Sequence, residues 1–247
     1  MKLERTVVLV TGAAKRVGRA IAMELASGGC DVAVHYRESA SDAEALADRI
    51  RRLGRRAITT RGDLADAATW PMIVDATVRG LGRLDMLVNN ASRFLTDPPD
   101  TLDAFTPDAW ERMQRINVTA AVGLVHHARV HLAAGGAGKV INLADAGVAR
   151  PWRDHLAYCA SKAALANVTA SLALALAPAV QVNAVAPGLA AFPESYGDAT
   201  RARLVDRVPL KRPGTPEEVA RLVRFLAEHG DYITGQVIAI DGGRSVA

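Results

Sequence analysis

The fold is decided by the stretch between residues 6 and 18, which reads TVVLVTGAAKRVG. Its first half, Thr6–Val10, is a short run of β-branched and aliphatic residues that predicts a buried strand. Thr11 and Gly12 follow at once, and a helical pattern then runs over Val17–Ser27. Glycine permits a tight turn and lets an anionic group approach the amides at the start of a helix. We therefore predict a strand–turn–helix unit with a phosphate-binding turn.

The same alternation of strand and helix continues through residues 1–247, which we expect to form a single domain. Further strands are predicted at Asp31–Tyr36, Ala57–Thr60, Leu84–Asn89, Lys139–Leu143, Val180–Val185 and Gln236–Ile240. Further helices are predicted at Ser41–Leu53, Asp66–Leu81, Pro107–Leu132, His155–Ala177 and Pro216–Glu228. This order predicts right-handed crossovers between parallel strands. The expected fold is an α/β Rossmann fold, with a doubly wound seven-stranded parallel sheet and helices on both faces.

Composition excludes several classes of protein. The formal net charge is +4, without a basic arm or a basic-aromatic repeat, so we expect no nucleic-acid partner. No uninterrupted apolar run reaches the roughly 18–20 residues that a membrane helix needs, so we expect no membrane partner. Two cysteines, Cys30 and Cys159, supply neither a disulfide framework nor a cysteine zinc site. We expect no metal and a reduced, cytoplasmic compartment.

The end of the second predicted strand indicates which nucleotide is bound. NAD-binding sheets usually place a carboxylate here for the ribose 2′-hydroxyl. This chain instead has Arg37, which can pair with a 2′-phosphate, and Ser39 within reach. Lys15 and Arg16 add positive charge from the first turn, so we predict NADPH rather than NADH. Glu38 either faces solvent or repels the phosphate.

Other strand ends carry polar residues that suit the same crevice. Asp63 follows the third strand and is a candidate acceptor for the adenine amino group. Asn89, Asn90 and Ala91 follow the fourth strand and are expected to line the crevice. Asn and Asp also favour turns for their own sake, so only their shared location at strand ends argues for function.

A tyrosine and a lysine form the candidate proton donor. Tyr158 and Lys162 are spaced i and i+4, which places them on one face of a helix. A nearby ammonium favours the phenolate, so we expect Lys162 to lower the pKa of Tyr158 toward operating pH. That change would make tyrosine a usable general acid. The alternative is a core tyrosine and a surface lysine that merely fall four residues apart.

Taken together, these motifs resemble the short-chain dehydrogenase/reductase family over essentially the whole chain. The resemblance rests on Thr11-Gly12, Asn89-Asn90-Ala91, Tyr158-x-x-x-Lys162, Pro187-Gly188 and Asp241-Gly242-Gly243. It implies that Asn117 holds a proton-relay water and that Lys162 binds the nicotinamide ribose. It also implies a homotetramer and a substrate lid at about residues 188–210.

Three departures from the family pattern are more specific than the matches. Asp145 stands thirteen residues before Tyr158, where most of the family has serine. Arg16 replaces the middle glycine of the first turn, and Ser92-Arg93-Phe94 follows Ala91. These features resemble the pteridine reductase branch, which includes dihydropteridine and dihydromonapterin reductases. The resemblance implies that Phe94 stacks a pterin ring against the nicotinamide, with Ser92 and Arg16 hydrogen-bonding the pterin or the cofactor phosphates.

The expected site follows from these motifs, with Asp145, Tyr158, Lys162 and Asn117 as its catalytic residues. The predicted cofactor-binding residues are Thr11, Gly12, Lys15, Arg16, Val17, Gly18, His35, Tyr36, Arg37, Ser39, Asp63, Leu64, Asn90, Ala91, Ser92, Tyr158, Lys162, Pro187 and Gly188. The predicted substrate-binding residues are Arg16, Ser92, Phe94, Asp145, Tyr158, Leu189, Phe192, Glu194 and Tyr196.

The expected reaction is NADPH-dependent hydride transfer to a C=N bond of a dihydropteridine, with proton donation by Tyr158, Lys162 and Asp145. One alternative is a carbonyl reductase acting on a 3-oxoacyl thioester, a sugar or another ketone. An ionised Asp145 argues against it, because a carboxylate opposes a developing alkoxide. The other alternative is a catalytically silent nucleotide-sensing protein on the same fold.

Overall fold

A computed structural model describes residues 1–94, 100–193 and 195–247, and its centre is a parallel sheet of seven strands. Their order across the sheet is β3-β2-β1-β4-β5-β6-β7. The strands are β1 Val7–Val10, β2 Asp31–Tyr36, β3 Ala57–Arg61, β4 Met86–Asn89, β5 Gly138–Leu143, β6 Val180–Pro187 and β7 Val237–Ile240. The predicted doubly wound α/β fold is confirmed, and each predicted strand is present with shifts of at most two residues at an end.

Eight α-helices connect or flank these strands in the described part of the chain. They are α1 Arg16–Ser27, α2 Ala40–Arg52, α3 Thr69–Leu81, α4 Pro107–Gln114, α5 Ala120–Ala133, α6 Leu156–Leu176, α7 Asp198–Asp206 and α8 Pro216–His229. The single helix predicted over Pro107–Leu132 is wrong in detail, because a π-helical turn at Arg115–Thr119 separates α4 from α5. Helix α7 escaped the prediction because none of its residues is buried, which leaves no apolar stripe to detect.

Both faces of the sheet are buried, as the alternate side chains of β1 show. Val8 and Val10 belong to the core formed with α1, α2 and α8, whereas Val7 and Leu9 belong to the core formed with α3, α5 and α6. Strands covered on both faces read as continuous apolar runs rather than as alternating ones. That is why VVLV at β1 was a clear signal.

The order in which successive strands are added to the sheet changes direction between β1 and β4. Strands β2 and β3 lie on one side of β1, and β4 to β7 lie on the other. Thr11 joins the two central strands, because its Oγ1 accepts hydrogen bonds from the amides of Asn90 at 2.9 Å and Ala91 at 3.0 Å. A crevice at the carboxyl ends of the strands is the expected ligand site of such a sheet.

Helix α6 is long and apolar enough to cross a membrane, judged by length and composition alone. This differs from the prediction that no segment would qualify, because an average over a window tolerates polar residues within it. Core helices of soluble proteins pass the same test, so the observation is weak. Lys162 of α6 donates to the carbonyl of Leu143, and the buried hydroxyls of Ser161 and Thr169 accept hydrogen bonds from Asn117 and Asn142. These contacts pack one face of α6 against the rest of the protein.

Candidate active site

A cleft of about 1240 Å³ opens at the carboxyl ends of the strands. This exceeds the roughly 300–1,000 Å³ of an ordinary small-molecule pocket, so the cleft has room for two ligands side by side. All but three of the predicted site residues line it. Thr11 and Asn117 are buried behind the wall, and Glu194 lies outside the described residues.

His35 is hydrogen-bonded both to the first turn and to the segment that follows β3. Its Nδ1 accepts a hydrogen bond from the Gly12 amide at 3.2 Å, and its Nε2 lies 3.1 Å from the carbonyl of Gly62. Nδ1 is therefore unprotonated and Nε2 carries the proton that it donates to Gly62. Burial lowers the pKa of His35 to about 4, so the ring stays neutral at pH 7. His35 fixes the shape of the turn.

Two glycines of the first turn are required by its geometry. Gly12 has a φ of +61°, in the left-handed region that glycine adopts freely. A Cβ on Gly18 would lie 2.4 Å from the carbonyl oxygen of Gly12, which is too close for any side chain. The turn and the first turn of α1 can pack together only with glycine at position 18.

Arg16 connects the first turn to the segment that follows β6. It is a non-glycine residue with a φ of +53°, a conformation that costs about 1–2 kcal/mol in L-residues. Its Nη2 donates a hydrogen bond to the carbonyl oxygen of Ala191 at 3.1 Å. The strained residue that replaces the family's glycine thus holds the start of the predicted lid.

The end of β2 presents a positive group to the cleft. Arg37 Nη2 lies 3.0 Å from Glu38 Oε1, and the Glu38 side chain is 74% exposed. Glu38 nevertheless lines the cleft beside Arg37, so both alternatives for it stay open. Lys15 in the first turn pairs with Asp42 at 3.1 Å. Asp63 Oδ1 accepts a hydrogen bond from the Ala65 amide at 2.9 Å, which makes it a turn former as well as a wall residue.

Asp145, Tyr158 and Lys162 meet at the centre of the cleft. The Tyr158 hydroxyl donates to Asp145 Oδ2 at 2.8 Å, and Asp145 Oδ1 accepts from the Gly147 amide at 2.8 Å. Lys162 Nζ donates to the carbonyl of Leu143 at 2.6 Å and lies 5.7 Å from the centre of the Tyr158 ring. Both Asp145 oxygens are therefore held, and the phenol is oriented by the carboxylate.

The prediction that Lys162 lowers the pKa of Tyr158 is wrong in this structure. Burial raises the pKa of Tyr158 well above its ordinary value, and the charge and hydrogen bond of Asp145 raise it further. Burial also raises the pKa of Asp145 and lowers the pKa of Lys162 to about 8. The carboxylate touches the phenol whereas the ammonium does not, so the carboxylate dominates. Tyr158 therefore stays protonated at neutral pH.

Asp100, which was not predicted from the sequence, fixes the start of the helix that carries the tyrosine. Its Oδ2 accepts from the Tyr158 amide at 2.8 Å, and its carbonyl accepts from the Leu156 amide at 2.7 Å. Two of the first amides of α6, which have no partner within the helix, are thereby satisfied. Asp100 is a positioning residue for Tyr158.

An aromatic cluster forms one wall of the cleft. The Phe94 ring centre lies 4.6 Å from that of His155 and 4.8 Å from that of Tyr158. Trp152 stacks on Tyr158 at 6.0 Å with an angle of 24° between the rings, and the Arg244 guanidinium lies 5.0 Å from the Trp152 ring centre. The prediction included Phe94 and Tyr158 but missed Trp152, His155 and Arg244. Their one signal was the crowding of Trp and His just before Tyr158 in a chain that is 4% aromatic.

Asn117, within the π-helical turn, holds the backbone that precedes Phe94. Its Oδ1 accepts from the Arg93 amide at 2.7 Å, and its Nδ2 lies 3.1 Å from the Arg93 carbonyl and 2.9 Å from Ser161 Oγ. Its side chain is thus occupied by the protein, and its predicted role at a relay water stays a prediction. The contacts show Asn117 joining α6 to the Phe94 segment.

Comparisons with known proteins agree with this fold and site. The family model described as enoyl-(acyl carrier protein) reductase matches residues 12–245. A putative ketoacyl reductase of the granaticin polyketide synthase from Streptomyces violaceoruber is 36% identical, over 97% of this chain and 96% of that protein. The 3-oxoacyl-[acyl-carrier-protein] reductase of Staphylococcus aureus is 32% identical, over 98% and 99% of the two chains.

Among solved structures, the FolM alternative dihydrofolate reductase 1 of Brucella canis, complexed with NADP, superimposes with a TM-score of 0.93. It is 36% identical, and the match covers 100% of this chain and 96% of that one. The fold and the site define an oxidoreductase built on a Rossmann sheet. Within that class, the chain belongs to the short-chain dehydrogenase/reductase family.

Proposed function

We propose that this protein is an NADPH-dependent reductase that transfers a hydride to a C=N bond of a dihydropteridine. One observation carries the proposal, namely the hydrogen bond from Tyr158 to Asp145, at the position where most of the family has a serine. A carboxylate is a poor partner for a developing alkoxide but a good acceptor for the ring N–H groups of a pterin. The likeness to an alternative dihydrofolate reductase supports the same substrate class.

The cofactor half of the cleft fits NADPH. It is lined by the first turn and by the ends of β2 and β3, with the cations Lys15, Arg16 and Arg37 available to phosphate groups. At the end of β2, Tyr36 and Arg37 stand where NAD-binding sheets usually have a carboxylate. Ser39 lines the same part of the cleft. Bound NADPH would supply the hydride. NADP-bound relatives support this assignment.

The protein's own residues supply the proton. Burial and Asp145 keep Tyr158 protonated, so the phenol carries the proton for the substrate nitrogen on which negative charge develops. Its raised pKa also makes it a weaker acid, so the transfer depends on the positive charge of Lys162. Asp145 orients the phenol and accepts a hydrogen bond from the substrate. Lys162 is charged below about pH 8 and stabilises the negative charge that Tyr158 acquires when it gives up its proton.

The aromatic wall supplies a flat surface for a flat ring. Phe94 lines the cleft beside Tyr158 and offers apolar stacking to a pterin. Ser92 and Arg16 are placed to hydrogen-bond its polar edge, and Leu189, Phe192 and Tyr196 close the cleft from the predicted lid. The predicted role of Glu194 is outside the described residues.

A carbonyl reductase is the second candidate, because two relatives bear ketoacyl reductase names. The raised pKa of Asp145 favours it too, since a protonated carboxyl can donate a hydrogen bond to a carbonyl oxygen. A carbonyl reductase needs Asp145 protonated, whereas the dihydropteridine reductase needs it ionised. Turnover of ketones or of dihydropteridines therefore distinguishes the two candidates.

The test is NADPH consumption by the purified protein with a dihydropteridine, a panel of ketones and a 3-oxoacyl thioester. We expect turnover of the dihydropteridine alone, a loss of at least about 100-fold in Asp145→Ser, and a gain of ketone turnover in that variant. Turnover of ketones by the wild type with inert pterins would reject the proposal in favour of the carbonyl reductase. Inactivity with all of them would favour the silent sensor.

We also propose a cytoplasmic homotetramer. Val130 of α5 and Leu174 of α6 are 61% and 85% exposed, so these helices carry apolar side chains available to a second copy. Sedimentation of the purified protein tests the assembly, and a monomer at micromolar concentration would contradict it.

A further inference from the structure

Five arginines surround the outer, substrate half of the cleft. This group, called here the arginine rim, consists of Arg150, Arg153, Arg203, Arg207 and Arg244. Its members come from three separate segments: the loop after β5, the region of α7, and the tail after β7. Nothing in the mechanism above uses them.

The predicted lid turns one face of α7 toward the cleft. Thr200, Arg203, Leu204 and Arg207 line it, and their spacing of i, i+3, i+4 and i+7 is that of one helical face. Helix α7 buries none of its residues in the protein. We therefore expect the face of α7 that lines the cleft to contact a bound ligand rather than the protein core.

Arg244 is placed by the tail that follows β7. Asp241 Oδ1 accepts from the Gly243 amide at 2.9 Å, and its Oδ2 accepts from the Ser245 amide at 2.6 Å, which fixes the turn that carries Arg244. The guanidinium lies over Trp152, and its buried Nη1 has no hydrogen-bond partner among the described residues. A buried donor without a partner is rare in native proteins and indicates a missing acceptor.

The rim makes no close ion pair with the part of the protein that the structure describes. None of its five arginines has a carboxylate of a described residue within 4.0 Å, although seven other arginines of the chain do. The described acidic side chains in this half are Asp145, which is engaged with Tyr158, and Asp154. The charges of Asp145 and Asp241 favour the charged form of Arg244, whereas the like charge of Arg207 opposes it. Such a concentration of positive charge at a cleft attracts an anion.

The topology separates this rim from the phosphate-binding end. The cations that suit the cofactor phosphates, Lys15, Arg16 and Arg37, follow β1 and β2, whereas the rim follows β5, β6 and β7 on the other side of the sheet. An anion held by the rim is therefore a part of the substrate.

We infer that the natural substrate carries an anionic group, a carboxylate or a phosphate, on its side chain, and that the arginine rim binds it. The inference rests on the proposed function, because the ring is taken to be the dihydropteridine held at Phe94. The reacting ring sits at Tyr158, and the side chain points outward past Trp152 to the rim.

The experiment compares kcat/KM for three substrates with one ring: a dihydropterin with a neutral hydroxyalkyl side chain, its phosphate monoester, and dihydrofolate, whose tail ends in carboxylates. We expect at least one anionic substrate to be preferred about tenfold or more over the neutral one, as two charge-assisted contacts allow. The anionic substrate with the larger value identifies the group. The preference should shrink with added salt.

The double variant Arg203→Gln/Arg207→Gln tests the assignment to the rim. The ratio of anionic to neutral kcat/KM should fall to within about twofold of unity, as expected when the contacts are lost. Arg52→Gln, at the exposed end of α2, makes a charge change away from the cleft and should leave the ratio unaltered.

Three outcomes would overturn the inference. Equal kcat/KM values for the neutral and both anionic substrates reject it while leaving the proposed function intact. A preference that survives both in the double variant and in Arg244→Gln, or that Arg52→Gln removes equally, rejects the rim as its cause. Inactivity with all three substrates rejects the proposed function and this inference with it.

Discussion

The Tyr158 hydroxyl donates its hydrogen bond to Asp145 at 2.8 Å, while Lys162 Nζ is directed instead to the carbonyl of Leu143. The tyrosine is thus controlled by a carboxylate and not by the ammonium four residues away. Burial raises the pKa of Tyr158, Asp145 raises it further, and the phenol stays protonated at neutral pH. A protonated phenol is the state that a reductase needs and that a dehydrogenase running in the opposite direction would have to lose.

Asp145→Asn should lower the pKa of Tyr158, because the substitution removes the charge that opposes the phenolate. Ultraviolet titration near 295 nm follows the formation of phenolate, with Tyr158→Phe isolating this tyrosine from the other three in the chain. The Tyr158 signal should develop at lower pH in Asp145→Asn than in the wild type. Identical titrations in the two proteins would show that burial alone sets the pKa of the phenol.

The rate of reduction should fall as pH rises through about 8. Burial lowers the pKa of Lys162 to about 8, so its positive charge is present below that pH and lost above it. The group that stabilises negative charge at Tyr158 then becomes neutral. Profiles of kcat against pH measure this limb, and Lys162→Arg should move it to higher pH because arginine keeps its charge. A flat profile from pH 7 to 9.5 would contradict the assignment.

The protein should lose stability as pH falls below 6.5. The unfolded state binds a proton on His35 near pH 6.5, whereas the native state resists protonation until about pH 4. Stability linked to this residue is complete above pH 6.5 and lost toward pH 4, and it amounts to about 2 kcal/mol between pH 7 and pH 5. Urea unfolding at both pH values measures it. His35→Gln should reduce the pH dependence by that amount, and an unchanged dependence would argue against a neutral buried ring.

Arg16→Gly and Arg16→Ala should differ in stability although both lose the contact with Ala191. The φ of +53° strains alanine but not glycine, so Arg16→Gly should be the more stable variant by about 1 kcal/mol. Both should raise KM for the substrate, because the predicted lid loses its hydrogen bond to the first turn. Denaturant midpoints and steady-state kinetics measure the two effects. If the alanine variant were at least as stable, position 16 would not be strained.

Arg37→Gln should weaken NADPH binding by about tenfold while leaving NADH binding nearly unaltered, because only NADPH carries the 2′-phosphate. Glu38→Gln should do the opposite for NADPH, since it removes the carboxylate 3.0 Å from the Arg37 guanidinium. Fluorescence titration of the two cofactors gives both constants. Equal effects on NADPH and NADH would place the 2′-phosphate elsewhere.

The strands and the turn after β1 were predictable because short apolar runs bounded by glycine carry a strong local signal. The cofactor class also agrees with the NADP-bound relatives. The π-helical turn at Arg115–Thr119 was not predictable, because its residues have the same periodicity as the helices around it. Phe94 and Arg244 meet the segment that carries Trp152, His155 and Tyr158 only through the tertiary fold. The pKa of Tyr158 depends on which charge lies nearer in space, and sequence spacing suggested the wrong one.

The bond between Arg16 and Ala191 also bears on how this enzyme can be re-engineered. Segments that cover a substrate cleft are attractive modules to exchange for new specificity, but here the predicted lid is hydrogen-bonded to a residue 175 positions earlier in the chain. A lid taken from a relative with glycine at position 16 comes from a protein that lacks the arginine side chain which makes this hydrogen bond. Conversely, this lid placed on such a relative would lose its anchor. Exchanges should therefore move the first turn and the lid together, as one inherited unit.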